Sequence, residues 1–595
     1  MQSRQKLSAL RALMKKHGAD AYYVPSVDPH QSEYVPDCWQ RRVWLSGFSG
    51  SAGDLLITAR KAGLWTDSRY FLQAEAQLAG SGIELFRMGL PGVPSLLAYA
   101  CRTLRKGQTL AVDPRVMSLA AADSFAAALA EHGIRIKYLS RNLVDALWKD
   151  RPAPSAAPVR AHGRQYSGEN TGSKLKRLRA AMKDQGARAH VIGALDAIAW
   201  LFNIRSRDIE FTPVVIAYAI VTERSATLYL DRAKLGKTVR KGLVRNARIK
   251  SYEAVADDLR VLGRRGWPVL VDPATTSQWV RGQLKGAELV PAASPITAMK
   301  SVKNAVQMDG IRAAHVRDGA AMVKFLKWLE TAVPKGGVTE ISATDRLTEF
   351  RAEQPGYQDN SFGPISGYAA HGAIVHYSAT PETEAKLGPR GVYLVDSGAQ
   401  YLDGTTDITR TVALGPVTRR AKTMFTLVLK GNINITRTPI PRGMSGQRLE
   451  ILARQALMLH GQNYGHGTGH GVGHYLGVHE GPMSVSPRDT ANVPLAPGQL
   501  ISIEPGHYEA GKFGIRIENL CLVVPDEKHS TEEMAWYKWE PVTMCPIDRK
   551  MIDKTLLDPV EKAWLNDYHK LVYKKLAPLL DGDHRKWLKK ATRSI

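Results

Sequence analysis

The alternation of apolar and polar positions divides the chain into elements before any residue is singled out for chemistry. Apolar residues recur at helical spacing from Leu7 to about Gly18, and the unbroken run Ala21-Tyr-Tyr-Val24 then reads as a buried strand. A glycine-rich bend over Arg41 to Gly53 feeds a strand at Leu55-Leu-Ile-Thr58, and another strand follows at Ala62-Gly-Leu-Trp65. Helices are predicted over Phe71 to Leu78 and Leu119 to Glu131, with a strand end at Ala111-Val-Asp-Pro114 between them, so the first part is an α/β domain. Arg151-Pro-Ala-Pro-Ser-Ala-Ala-Pro158 has the composition of a linker. After it the pattern partly repeats, with a helix from Leu175 to Gln185, a strand at His190-Val-Ile192 and a helix from Asp196 to Phe202. Ala226-Thr-Leu-Tyr-Leu-Asp231-Arg232 also parallels Gly63-Leu-Trp-Thr-Asp67-Ser-Arg69, which predicts two related α/β domains in tandem.

A second boundary falls near Pro295 to Lys303, giving domains at 1–155, 156–303 and 304–595. The last begins with a long amphipathic helix, Ala305 to Val333, broken by Pro334-Lys-Gly-Gly before a helix capped around Thr339. A strand is expected at Ala373-Ile-Val-His-Tyr377, and helices at Leu449 to Leu457 and, in the tail, Pro559 to Leu579. This third is α+β.

Within it two hairpins carry acids where strands normally carry apolar side chains. Val392-Tyr-Leu-Val-Asp396 leads through the Asp403-Gly404 turn to Thr405-Thr-Asp407-Ile-Thr-Arg410, and Leu500-Ile-Ser-Ile-Glu504 leads around Gly511 to Ile515-Arg-Ile-Glu518. Between them His466-Gly-Thr-Gly-His470-Gly-Val-Gly-His474 supplies imidazole from a backbone whose glycines permit close passage. Buried carboxylates at the ends of apolar strands are tolerable when cations neutralise them. Four carboxylates and one imidazole are mostly hard oxygen donors, too much charge for one divalent ion and suited to two sharing bridging carboxylates. Asp396, Asp407, His470, Glu504 and Glu518 are therefore read as a dinuclear site. Arg516 would share a face with Glu518 on a regular strand, which leaves both a pairing with the acids and a solvent-facing position open.

Composition narrows the setting. The 595 residues have the apolar (44%) and charged (23%) fractions of an ordinary folded protein, which argues against extensive disorder. The start of the chain lacks the apolar run of a signal peptide and no stretch has the length of a membrane span, so a cytoplasmic location is expected. Cys38, Cys101, Cys521 and Cys545 have neither CxxC spacing nor a nearby partner, and reduced thiols are expected. The net charge of +25 raises the question of nucleic acid, but Lys and Arg are dispersed and not interleaved with aromatic residues, so solvated surface charge is the expectation.

Val395-Asp-Ser-Gly-Ala-Gln-Tyr401, Asp403 to Thr411, His466 to Gly473, Val478-His-Glu-Gly481, Glu504-Pro-Gly506 and Gly514-Ile-Arg-Ile-Glu-Asn519 resemble the pita-bread metallopeptidases, and most closely the three-domain Xaa-Pro aminopeptidases. The likeness extends to His30-Gln-Ser-Glu-Tyr34, Ser46-Gly-Phe48, Trp65-Thr-Asp67, Ile198-Ala-Trp-Leu-Phe-Asn203 and Trp564-Leu-Asn-Asp-Tyr-His569. It implies two creatinase-like α/β domains followed by a pita-bread catalytic domain, a homodimer, two divalent ions (manganese by family habit) and removal of a residue that precedes proline through a water held between the ions. The same resemblance makes Asp407 and Glu518 the bridges, gives Asp396 to one ion and His470 with Glu504 to the other, and has Glu504 handle the water's proton. His376, His466 and His479 match substrate-side histidines, with His376 and His479 at the scissile peptide; Arg69 matches a substrate-contacting arginine, and Phe362 a wall for the proline ring. His474 falls outside the pattern. Prolidase-like dipeptidases and methionine aminopeptidase share the five ligands, and a non-catalytic module binding peptides, histones or nucleic acid is the alternative of another class.

Overall fold

The computed structural model describes residues 2–595, which contacts divide into two compact units. One runs to His162 and resumes over Glu169–Thr297; the other comprises Gly163–Gly168 and Ala298–Ile595.

The first unit contains two six-stranded sheets with one topology. Counted along the chain within each sheet, the strands lie in the order 4-3-2-1-5-6. In both, strands 1–2 and 2–3 pair antiparallel, whereas 3–4, 1–5 and 5–6 pair parallel. The duplication hinted at by the Trp65-Thr-Asp67 and Leu230-Asp231 stretches is thus real, and those stretches occupy or follow the third strand of each sheet, Ala62–Thr66 and Ala226–Leu230. The two halves are joined within this unit by backbone bonds from Leu119 N to Thr276 O (2.9 Å) and from Gln278 N to Met117 O (2.8 Å). His30 spans the same joint, with Nδ1 2.8 Å from Gly193 O and Nε2 2.8 Å from the Tyr252 hydroxyl. Arg41 to Gly53, expected as a bend throughout, begins instead with the helix Arg41–Ser46, which ends because Gly47 takes φ 77°.

In the second unit the helix Ala305–Ala332 forms the spine. Asn304 and Gln307 close a reciprocal capping box at its start, and Pro334, which has no N–H to donate, follows its end. Ile311, Ala314, Asp318, Met322, Phe325 and Leu329 fall on its buried face at intervals of three and four. Polar members of that face find partners: Asp318 receives the Arg351 guanidinium at 2.9 and 3.1 Å.

Both acid-bearing hairpins are interrupted, the first at Asp407 and the second at Glu504 and Glu518, whereas Asp396 stays within a paired strand, opposite Thr409. Val392–Ser397 pairs antiparallel with Ile408–Ala413, and a tighter pair, Ala399–Tyr401 with Gly404–Thr405, caps the hairpin. Asp407 lies in the break between Gly404–Thr405 and Ile408–Ala413. Likewise Leu500–Ile503 pairs with Asn519–Pro525, and Gly506–Glu509 with Phe513–Arg516, so Glu504 and Glu518 occupy matching breaks. The regular strand that would have put Arg516 and Glu518 on one face is therefore absent. Asn432, from the helix Arg419–Thr436, stitches the two breaks of the second hairpin: its Nδ2 donates to Ile503 O (2.8 Å) and Ile517 O (3.2 Å), the carbonyls immediately before Glu504 and Glu518.

The expected strand at Ala373–Tyr377 does not form. A 3-10 helix, Ala369–Ala373, leads into irregular backbone, and its alternating apolar residues are anchored by Glu340 instead of by a ladder. The buried Glu340 carboxylate accepts from Tyr368 N (2.7 Å), Ala385 N (2.8 Å) and the Tyr377 hydroxyl (3.0 Å), and lies 3.0 Å from His371 Nδ1. The tail helix is Pro559–Leu576 with a 3-10 turn to Leu579, and a further helix not anticipated from sequence, Gly582–Ala591, follows it.

Candidate metal centre

The two hairpins meet through polar side chains on otherwise apolar strands. Thr409 Oγ1 donates to Glu518 Oε2 (2.9 Å), Glu518 N donates to Thr409 O (3.2 Å), and Thr411 Oγ1 donates to Arg516 O (2.9 Å). These bonds lay the strand after Asp407 along the segment that carries Arg516 and Glu518.

Glycine brings the imidazole in. A Cβ on Gly469 would lie 1.8 Å from Ser502 O, so only glycine lets the segment Gly469–Gly471 pass this close to the strand that ends at Glu504. His470 Nδ1 stands 3.0 Å from Gly471 O. Since a carbonyl only accepts, Nδ1 carries the proton and Nε2 presents its lone pair to the carboxylates. Nε2 lies 3.4 Å from Glu504 Oε1 and 3.6 Å from Asp407 Oδ2. One donor atom each from Asp407, His470 and Glu518 fall within 4.8 Å of one another. Asp396 joins through Arg516, whose guanidinium reaches Asp396 Oδ2 at 2.6 and 3.2 Å. The pairing of Arg516 with the acids is thus present, made through Asp396.

All this negative charge is out of water. Burial raises the Asp407 and Glu518 carboxyls well above the ordinary range, and the neighbouring acids add to the effect. Burial likewise lifts Glu504 to about 7, with Arg516 opposing it. Asp396 Oδ1 and Glu518 Oε1 are buried without a hydrogen-bond partner among the described residues. Desolvated, mutually repelling oxygens with unused lone pairs are the donor set a hard divalent cation requires. The residues fit the metal pair expected of them.

Around this cluster the expected histidines divide. His479 sets its ring edge-on to His470 at 4.3 Å between centroids. The next residue, Glu480, is fixed by two buried lysines, Lys300 Nζ at 2.9 Å and Lys303 Nζ at 2.5 Å. His376 lies in the irregular stretch beyond Ala373, and that stretch is pressed onto hairpin two. A Cβ on Gly514 would sit 1.6 Å from Gly372 O. His466 is tied into a polar chain: its Nδ1 faces Gly467 O (2.7 Å), its Nε2 faces the Tyr508 hydroxyl (2.8 Å), and that hydroxyl accepts from Arg516 Nη1 (2.7 Å). A line of contacts thus runs from His466 through Tyr508 and Arg516 to Asp396. Phe362 is buried, as is His474. Arg69 belongs to the first unit, where Asp67 holds its guanidinium at 2.7 and 2.8 Å.

Sequence reasoning passed over Tyr508, Asn432 and Arg410, none of which has a local pattern to betray it. The available signal was a polar side chain inside an apolar element, as in Ile408-Thr-Arg-Thr-Val412.

Residues 6–143 and 150–307 each match the family described as Creatinase/Prolidase N-terminal domain, residues 309–525 match Metallopeptidase family M24, and residues 535–595 match the C-terminal region of peptidase M24. Creatinase-type domains followed by an M24 metallopeptidase domain are the class that this fold and site define. The chain is 41% identical over 605 residues to a probable Xaa-Pro aminopeptidase P of Neurospora crassa, covering 99% of this chain and 88% of the relative. It is 41% identical over 629 residues to aminopeptidase P2 of Arabidopsis thaliana, with the same coverage of 99% and 88%. Among solved structures, the X-prolyl aminopeptidase of Caenorhabditis elegans, described as a cytosolic enzyme with a di-nuclear active site, superposes with a TM-score of 0.97 at 35% identity over 100% of both chains. The Xaa-Pro dipeptidase of Bacillus anthracis shares the fold alone, with a TM-score of 0.52 at 23% identity over 64% of this chain and 99% of that one. The chain belongs to the Xaa-Pro aminopeptidase P family of M24 metallopeptidases.

Proposed function

We propose that this protein is a dinuclear metal-dependent aminopeptidase that releases the first residue from peptides with proline in second place. The observation that carries it is the convergence of Asp396, Asp407, His470, Glu504 and Glu518, with buried carboxylate oxygens left unpartnered, in a chain whose full-length relatives bear the name Xaa-Pro aminopeptidase. When bound, two divalent ions polarise a carbonyl and make water acidic enough to attack it near neutral pH.

The chain's own side chains do the rest. His470 is held in one tautomer by Gly471 O, so its donor atom needs no reorientation. Glu504, whose Oε1 is reached by Ser502 Oγ at 3.4 Å, is placed to take the water's proton and return it to the leaving imino nitrogen. His479, edge-on to His470, and His376, on the loop packed against Gly514, are assigned to the scissile peptide. His466 is assigned to the substrate side as well, oriented by Tyr508. Arg69 and its role rest on the Trp65-Thr-Asp67 motif alone. Manganese suits the oxygen-rich donor set and is assigned on that ground.

In a metal-stripped sample resupplied with Mn2+, an Xaa-Pro-Xaa peptide should lose its first residue, whereas the matched Xaa-Ala-Xaa peptide should be cleaved at least 100-fold more slowly, about 2.7 kcal/mol of discrimination. Mass spectrometry of the products decides; equal cleavage of both would remove the proline assignment.

The three-part division at 1–155, 156–303 and 304–595 and a homodimer are part of the same proposal. Supporting the dimer, Ile451 and Met458 on the helix Ile451–Met458 and Leu459 just after it are 51%, 50% and 80% exposed, an apolar patch suited to self-association. Met458→Glu combined with Leu459→Glu should convert a dimer to a monomer in light scattering, and an unchanged mass would exclude this patch as the interface. A cytosolic location is supported by four unbridged, buried cysteines and by the absence, among the described residues, of any helix long and apolar enough to cross a membrane.

A further inference from the structure

We propose that the C-terminal tail is a working part of the metal centre: Tyr568 is a positioning residue that acts through Arg410 to hold the backbone on which Asp407 and Glu518 stand. This rests on the metal-centre assignment above and extends it to residues outside the ligand set.

Arg410 is fully buried, and all of its donors are spent. Nη1 donates to Glu518 O (2.6 Å) and Thr409 O (3.0 Å), which joins the two hairpins next to Glu518 itself and two residues from Asp407. Nη2 donates to Asn519 Oδ1, Cys545 O and the Tyr568 hydroxyl, each at 2.9 Å, and Nε to Pro546 O at 3.2 Å. Three of these six acceptors, Cys545, Pro546 and Tyr568, lie beyond residue 540 in the chain.

The tail helix Pro559–Leu576 holds those acceptors in place with two consecutive residues. Tyr568 accepts from Arg410 and donates toward Thr543 O or Cys545 O, each 2.9 Å away. Burial pushes its phenol up to about 12, so it keeps its proton at neutral pH. His569 Nε2 accepts from Ile547 N at 3.1 Å, and burial drives this imidazole down to about 3, so it stays a neutral acceptor. Thr543 closes the circuit by accepting from Leu520 N (2.8 Å), on the strand that follows Glu518. The path is continuous: tail helix, segment Thr543 to Ile547, Arg410, then the carbonyls of Thr409 and Glu518. Six acceptors serve the five N–H groups of Arg410, so removing the Tyr568 hydroxyl leaves a partner for each. What is lost is the bond that ties the guanidinium to the tail helix, and as Nη2 re-aims at Asn519 Oδ1 and Cys545 O alone, the carbonyls held by Nη1 shift with it.

Tyr568→Phe deletes one oxygen and keeps the ring, which stacks on Trp564 at 5.5 Å. The test compares full-length wild type, Tyr568→Phe and Val572→Ala, a packing variant of a fully buried residue one turn along the same helix. Each is stripped, titrated with Mn2+ by electron paramagnetic resonance, assayed at saturating Mn2+ on an Xaa-Pro peptide, and melted. Tyr568→Phe is expected to weaken Mn2+ binding about tenfold and to lower kcat roughly 10- to 100-fold, with KM within about twofold. Val572→Ala is expected to lower the melting temperature while leaving Mn2+ affinity and kcat unchanged. Wild-type affinity and kcat in Tyr568→Phe, or equal losses in Val572→Ala, would overturn the proposal. A wild type that binds no divalent ion would instead remove the metal centre itself, and the proposal with it.

Discussion

Asp407→Asn lowers kcat/KM on an Xaa-Pro peptide by on the order of 10⁴-fold or more, about 5.5 kcal/mol of lost transition-state stabilisation, and leaves the fold in place. Asp407 stands where the strand Ile408–Ala413 begins, buried, with Oδ2 3.6 Å from His470 Nε2 and an oxygen within 4.8 Å of a Glu518 donor. An amide in its place occupies the same volume but brings no charge, and a neutral oxygen is a far poorer ligand for a hard cation shared between acids. The substitution also removes one of several repelling carboxylates from a buried cluster. The metal-free variant should therefore melt at or above the temperature of the metal-free wild type, which separates loss of chemistry from loss of structure. Kinetics at saturating Mn2+, metal content per chain and a thermal melt check all three parts. Activity within tenfold of wild type would mean that Asp407 is no ligand.

What could be read from the sequence was local. The helices Phe71–Leu78 and Leu119–Glu131 form over the predicted residues, the second because Ser118 accepts from Ala121 N at its start. The acid cluster was legible because acids at the ends of Val392-Tyr-Leu-Val and Leu500-Ile-Ser-Ile have no solvent to face. Ala373-Ile-Val-His-Tyr377 shows why the rest was not. Its composition suits a strand, but its backbone is set by a carboxylate at Glu340, more than thirty residues earlier, and by contact between Gly372 and Gly514. Arg410 is the extreme case, since its acceptors include residues 108 and 158 positions away. Nothing within a dozen residues of an arginine announces such partners. The breaks at Asp407, Glu504 and Glu518 escaped notice for a related reason. Continuous apolar alternation predicts unbroken strands, whereas buried acids turned toward a common point interrupt the ladder, and Asn432 and Arg410 bind carbonyls beside the breaks.

Stripping the metal should invert the protein's response to pH. In the metal-free protein burial raises Asp407 and Glu518 well above the ordinary carboxylate range, reinforced by the neighbouring acids, and lifts Glu504 to about 7. A carboxyl whose folded-state pKa exceeds its unfolded value holds its proton more tightly when folded. Its contribution to stability is complete below about pH 4, the unfolded value, and is lost as the pH rises through the folded one. Metal-free protein should therefore melt progressively lower from pH 5 to pH 8. Cations act in the opposite sense, because they bind the deprotonated carboxylates and become more stabilising over the same interval. With free Mn2+ at 100 times its dissociation constant, each site adds about 2.7 kcal/mol, so two add roughly 5 kcal/mol and shift the melting temperature by on the order of 10 °C at pH 7.5. At pH 5 protons compete for the same oxygens and the shift should shrink to a few degrees, on the order of 3 °C. Calorimetry of stripped and Mn2+-loaded protein across this range reads both trends. A stripped protein whose melting temperature is flat or rises from pH 5 to pH 8 would show that the buried acids do not repel one another, and the case for a cation between them would lose its physical basis.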